Sequence, residues 1–366
     1  MAPGARITWY QSSASIPGVR EALTPDDQGN WVDRNGRRYS VKDMPGAGGM
    51  GILQLTIVDA DPRALAADAR SWIYIDPQSG TLQSTSAAGY VGNIEGLGEY
   101  WIHPSKLAAT QDMSGGGSVI RRMQYPLNGR NYNAIVFNTS SGTSFQRYVY
   151  DLETGLLLVA TSSSVGSPTM VANPDGTSSP GAGTTMITYS CLLDVRQTRL
   201  PWAADPLPEW MRRNGRLDYR GTYLTSIPGV PEMPADFVTS YQLGPSTDRS
   251  VRARQTSSLS YAYQSAPNES VVDRVVGSAM VGALFIHPQT LRAMRPNEVL
   301  DEDPVRKART FFAGVQGNAA VVVEQSANEM TSLFYDLQSG VLAAIRFEQQ
   351  QPVAKITVQA QLAAMP

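Results

Sequence analysis

The chain has 366 residues, 42% hydrophobic and 17% charged, with a formal net charge of −2 at pH 7. That length exceeds what one core usually serves, so two domains are expected. The near-neutral charge supplies no positive surplus for nucleic acid, and no apolar run is long enough to span a bilayer.

The opening "MAPGARITWY" has neither a basic stretch nor an apolar core region. It reads as the cut end of a mature secreted protein with an added Met and no signal peptide, or as a cytoplasmic start. The Ser/Thr/Gly-rich, Lys-poor texture favours an extracytoplasmic site, periplasmic or secreted. "RITWYQSS" alternates as a strand should. "GAGGMG" matches G-x-G-x-x-G through Gly46, Gly48 and Gly51. A dinucleotide site needs a helix next, and the alternating "ILQLTIV" that follows is a strand, so no cofactor is expected. "DPRALAADAR" suggests a short helix, with Asp61 as N-cap and Pro62 in the first helical position.

"RSWIYID" then reads as a strand running into "DPQSGTL", the first of three D-x-x-[ST]-G-x-L phrases. The others are "DLETGLL" and "DLQSGVL". Asp opens such a turn by accepting backbone N–H groups, and glycine takes the left-handed position that closes it. Asp76, Asp151 and Asp336 are therefore turn residues, with Gly80, Gly155 and Gly340 at positive φ. "YWIHPSKLAA" holds His103, and "LFIHPQTLRA" holds His287, the only two histidines. A residue before proline favours extended backbone, which places both as N-caps of short helices. They are also the only metal candidates, but two histidines and one cysteine fall short of a four-ligand structural zinc set.

"SVIRRMQY", "NAIVFN", "RYVYD", "LLLVATS" and "MITYSCLLDV" read as further strands, with Asn-Gly hairpin chemistry at 127–130. Cys191 cannot form an internal disulfide and reads as a small buried hydrophobe. Arg121 and Arg122 align with Arg306 and Lys307 about 185 residues later. Neighbouring strand residues face opposite sides, so one cation of each pair could point inwards and anchor a ligand's acidic head. Segment 161–185, rich in Gly, Ser, Pro and Thr, reads as a disordered hairpin tip, with a lid or partner-binding loop as the alternative.

The phrases around His103, Asp151 and Gly155 recur at a common spacing of about 185 residues around His287, Asp336 and Gly340. "SIPGV" at 15–19 recurs at 226–230, which places extra residues near 20–50 in the first copy. This is duplicated architecture. The chain reads as mainly β: two tandem duplicated domains, each a curved antiparallel sheet or incomplete barrel with short capping helices. Their bounds are 1–200, with insertions near 20–50 and 161–185, and 210–366. The linker at 197–216 is docked through Trp202 and Trp210.

In its strand-rich halves, with "YVYDLETGLLL" and "LFYDLQSGVLA", each copy resembles the LolA-like lipoprotein carriers. That resemblance implies a strongly curved sheet around helices that holds acyl chains. The leading expectation is a non-catalytic extracytoplasmic protein that binds an apolar or amphipathic molecule or lipid between sheet and helical cap. One alternative is a cell-envelope structural or protein-interaction module. Another is an enzyme whose carboxylate or tyrosine chemistry is not readable here. No catalytic residue is assigned.

Overall fold

The computed structural model describes residues 1–26, 30–39, 49–61, 64–93, 99–166, 170–172, 178–180, 183–213 and 215–364. The first copy opens with β1 (Ala5–Pro17). Three very short strands follow: β2 (Thr24–Pro25), β3 (Trp31–Val32) and β4 (Arg38–Tyr39). Next come β5 (Met50–Ala60), β6 (Ala64–Asp76), β7 (Thr81–Asn93) and helix α1 (Pro104–Ala109). After the helix lie β8 (Met113–Gly115), β9 (Ser118–Leu127), β10 (Arg130–Ser140), β11 (Ser144–Asp151) and β12 (Leu157–Val165). A small hairpin, β13 (Met170–Ala172) and β14 (Ser178–Pro180), precedes β15 (Thr184–Gln197).

After α2 (Glu209–Arg212) the second copy runs β16 (Arg216–Ser226), β17 (Met233–Ser246), β18 (Ser250–Tyr261) and β19 (Asn268–Gly277). Helix α3 (Pro288–Ala293) is followed by β20 (Glu298–Asp303), β21 (Ala308–Gln316) and β22 (Ala319–Gln325). The chain closes with β23 (Glu329–Asp336), β24 (Leu342–Gln350) and β25 (Lys355–Ala364).

Two ten-stranded antiparallel sheets result, with the orders β7-β6-β5-β1-β15-β12-β11-β10-β9-β8 and β19-β18-β17-β16-β25-β24-β23-β22-β21-β20. Strand for strand the two orders are the same, each helix falling between the two strands that end its sheet. The mainly β, duplicated architecture anticipated from the phrases is therefore present.

Compact packing divides the chain differently from the repeat. One unit comprises 1–8, 54–91 and 194–366; the other comprises 9–53 and 92–193. The larger unit has a core of Trp202, Tyr219, Leu284, Leu291, Phe312 and Tyr335 among others. Leu200, Trp202, Leu207 and Met211 join that core, and the Trp202 indole donates to the Met280 carbonyl at 3.2 Å, so the linker is docked. In the smaller unit, Ile102, Leu107, Ile135, Tyr150 and Leu157 form one cluster. Leu23 and Trp31 from the insertion join Ile16, Phe145 and Ile187 in another.

Two expectations change. Residues 64–76 form strand β6, not a helix. The Asp61 N–H donates to the Ala64 carbonyl and the Asp61 carboxylate accepts from the Ala64 N–H, closing a β5–β6 hairpin. Leu65 and Ala67 are buried in alternation with half-exposed Ala64 and Ala66, a period-two pattern that overrides the Asp-Pro start signal. In the 161–185 segment β13 pairs with β14, Met170 opposite Pro180, and the expected disordered tip between them lies outside the described residues. Gly46 and Gly48 of the glycine-rich phrase lie outside the described residues.

The second change concerns the cations. Ala134 lies opposite Asp151, and Ala319 opposite Asp336, which fixes the equivalence of the copies. The β9–β10 tip, Asn128-Gly129, lies five residues before Ala134, whereas Asn318 directly precedes Ala319. The first copy's hairpin is thus longer. Arg121, opposite Val136, corresponds to Gly314, opposite Val321, and not to Arg306. A constant spacing in sequence conceals this slip because the loops on either side differ in length.

Candidate functional site

The recurring phrases build one corner in each unit. His103 has φ −56° and ψ 129°, and its Nδ1 accepts the Ser105 backbone N–H at 3.2 Å. His287 has φ −57° and ψ 132°, and its Nδ1 accepts from Gln289 at 3.3 Å. Each histidine is the N-cap of its helix, with proline next, so imidazole satisfies one of the loose N–H groups of the first turn. Among the described residues there is no group of three His, Cys, Asp or Glu placed to hold a metal.

Each aspartate turn docks on that corner. Asp151 accepts from Thr154 N and Oγ1 at 3.0 and 2.6 Å, and the Ile102 N–H donates to the Gly155 carbonyl at 2.9 Å. The equivalent Ile286–Gly340 bond is also 2.9 Å. Leu107 and Leu291, each 1% exposed, seat the helices on their sheets. The space beneath both caps is thus occupied by the protein's own side chains.

The four cations named from sequence have separate surroundings. Arg121 is exposed on β9. Arg122 reaches Asp112 at 2.6 Å and the carbonyls of Ala108 and Thr110, so it closes the C-terminal end of α1. Arg306 is buried: its Nη1 lies 2.5 Å from Glu324, and its guanidinium stacks 4.2 Å from the Trp72 ring centroid. Lys307 donates to the Ser79 carbonyl at 3.1 Å.

Arg306 belongs to a buried ionic chain in the larger unit. Glu324 also faces Arg70 at 3.7 Å, Arg70 Nε donates to Asp68 at 2.9 Å, and Asp68 accepts from Arg274 Nε at 2.9 Å. Arg274 continues to Gln255 at 3.1 Å. Arg6 pairs with Asp301 at 2.6 Å, and Gln54 joins Thr8 to Asp303. Burial pushes the Glu324 carboxyl upwards, but Arg306, Arg70 and Arg6 outweigh it and hold the group down at about 2. Glu324 is therefore a standing counter-ion at neutral pH, unsuited to general acid or base work.

Two adjoining cavities open near this chain. One of about 440 Å³ is lined by Val91, Leu243, Pro245, Ala253 and Val275, with Arg252, Arg254 and Arg274 around it. Another of about 220 Å³ shares Val91, Pro245, Arg252 and Val275 and extends past Ala64 and Ala66. At Gly89 strand β7 approaches β19 closely: a Cβ there would stand 2.9 Å from the backbone of Arg274 and Val275. Sequence reasoning missed these cations, although "VRAR" places Arg252 and Arg254 two apart on one strand and hence on one face. A cavity of about 750 Å³ runs along sheet-edge strand β20 and is lined by charges of both signs, including Arg196, Arg199, Glu302 and Arg309.

No family model matches the chain, and no curated protein matches it. Among solved structures, the chain is similar to one from Nitrosomonas europaea solved under the provisional name AttH. The two share 10% identity over 97% of this chain and 92% of that one, at a TM-score of 0.13. A likeness at that score carries no argument about fold or activity.

Proposed function

We propose that the protein is a non-catalytic binder of an amphipathic molecule with an acidic head. The supporting observation is the cleft bounded by Val91, Leu243, Ala253 and Val275, which has apolar walls with Arg252 and Arg254 beside Asp273 and the Asp68-bound Arg274. Its size falls within the ~300–1,000 Å³ usual for small-molecule sites, and apolar walls with a few placed polar groups are the usual make-up of such sites. The site proposed here differs from the space between sheet and helical cap, because Leu107 and Leu291 fill that space. An extracytoplasmic location and a carrier role akin to LolA-like proteins belong to this same reading.

The test is titration of the full chain with a fluorophore-bearing long-chain fatty acid. Saturable binding is expected. Arg252→Ala with Arg254→Ala should weaken it by about tenfold, the scale of a lost hydrogen bond to a charged group. Val91→Trp, which fills the rim, should block it. No binding to the wild type, or equal binding to all variants, would reject the reading.

A second reading, a protein-interaction module, is favoured by the groove beside β20. An edge strand offers backbone groups to an added extended peptide. The groove has the volume for one, although Arg196 already occupies the Glu302 carbonyl.

A further inference from the structure

A recessed cavity of about 170 Å³ lies in the larger unit, away from the cleft. It is lined by Trp72, the turn from Ser79 to Leu82, Arg306, Lys307 and the turn from Ser326 to Glu329. We propose that this cavity is a binding site for a small oxyanion of the phosphate or phosphomonoester class.

Two of the groups that line it, Asn328 and Lys307, have unused donors. The Asn328 Nδ2 is buried with no hydrogen-bond partner. A buried donor without an acceptor is costly and calls for one. Lys307 gives one of its three N–H groups to Ser79, leaving two. Arg306 is held rigidly by the Trp72 ring and Glu324, so its guanidinium is presented without side-chain freedom to lose. The carboxylate lining the cavity, Glu329, is already engaged: Ser84 N donates to it at 2.6 Å, Gln349 Nε2 at 2.8 Å and Trp72 Nε1 at 3.4 Å. An incoming anion therefore meets Lys307, Arg306 and the Asn328 amide, with the opposing Glu329 carboxylate already accepting three hydrogen bonds.

Size selects the class. The cavity exceeds one water's share of about 30 Å³ and falls below the ~300 Å³ at which drug-sized sites begin. A tetrahedral oxyanion accepts from several directions at once, which suits donors that converge from two separate turns.

The experiment is isothermal titration of the full chain with inorganic phosphate. Parallel arms use vesicles of phosphatidylcholine with and without phosphatidic acid. Binding of free phosphate is expected, with little added by phosphatidic acid. Lys307→Asn keeps a residue that tolerates the local φ of 52° and should weaken phosphate binding by about tenfold. Asn328→Ala should weaken it similarly, and Lys106→Gln, an exposed lysine on α1, should leave it unchanged. Should Asn328→Ala fail to fold, Lys307→Asn decides alone. Failure of the wild type to bind phosphate would overturn the proposal. So would equal binding by wild type and Lys307→Asn, the signature of an adventitious ion only. Binding restricted to phosphatidic acid vesicles would overturn it as well, moving the chemistry to a lipid surface.

Discussion

Gly80, Gly155 and Gly340 close three chemically similar turns, with φ of 72°, 77° and 76°. Their surroundings differ. A Cβ on Gly155 would lie 1.9 Å from the Ile102 carbonyl oxygen, and one on Gly340 2.2 Å from that of Ile286. At Gly80 the nearest atom is Lys307 Nζ at 3.6 Å, an ordinary contact. Gly80→Ala should therefore cost about 1 kcal/mol for the left-handed backbone alone. Gly155→Ala adds overpacking and should cost about 2–4 kcal/mol. Chemical denaturation of both variants checks this, and equal losses would show that the Gly155 turn is not pressed against its corner. The turn itself was legible because Asp, Thr and Gly at fixed offsets dictate local geometry. What lay opposite the glycine was not, since the partner Ile102 is 53 positions away and no local pattern announces it.

Strand β6 shows where an element can be misread. Asp-Pro and four alanines in "DPRALAADAR" mimic a capped helix, yet Asp68 and Arg70, two apart, face the same side as a strand requires. Their ionic chain with Arg274, Glu324 and Arg306 gives the element a pH signature. The Glu324 carboxyl sits at about 2 against a reference of 4.5. Its folded value is depressed, so its contribution is complete above 4.5 and fades as pH falls towards 2. Glu324→Gln should leave Arg306 without its counter-ion and cost about 3–5 kcal/mol at pH 7. The variant should also lose less stability than wild type on acidification through that window. Urea unfolding at pH 7, 4 and 3 measures both effects, and parallel acid limbs would remove Glu324 as their source. The charges were invisible as a network because their sequence positions run from 6 to 324. Only the alternation of each strand was readable.

Across the whole molecule, duplication was the most legible feature, because matching phrases in matching order have few other causes. Two sheets with one strand order follow from it. The slip between Arg121 and Arg306 was not legible: loops of unequal length cancel in a simple offset. Nor was the packing of residues 54–91 with 194–366, since repeat boundaries mark ancestry and packing follows apolar and ionic contact. A fragment of residues 1–200 retains Asp68, Arg70 and Trp72 but lacks Arg274, Arg306, Glu324 and Glu329. It should show no protected amide exchange in β6, whereas the full chain should protect those amides. Equal protection in fragment and full chain would show that the first repeat is self-sufficient.

The same division sets a timetable for a nascent chain. Residues 9–53 and 92–193 can complete their own cluster soon after the first half leaves the ribosome. Residues 64–76 cannot, because their counter-ions are the last to be made. At about 5–20 residues per second, that strand waits on the order of ten seconds or more with Asp68 and Trp72 uncovered. During that interval the strand is paired with β5 and β7, but the face that carries Asp68 and Trp72 is open to whatever surrounds it. Slow translation of the second half, or a stall near residue 300, would therefore expose the first half to aggregation without any change in its own sequence.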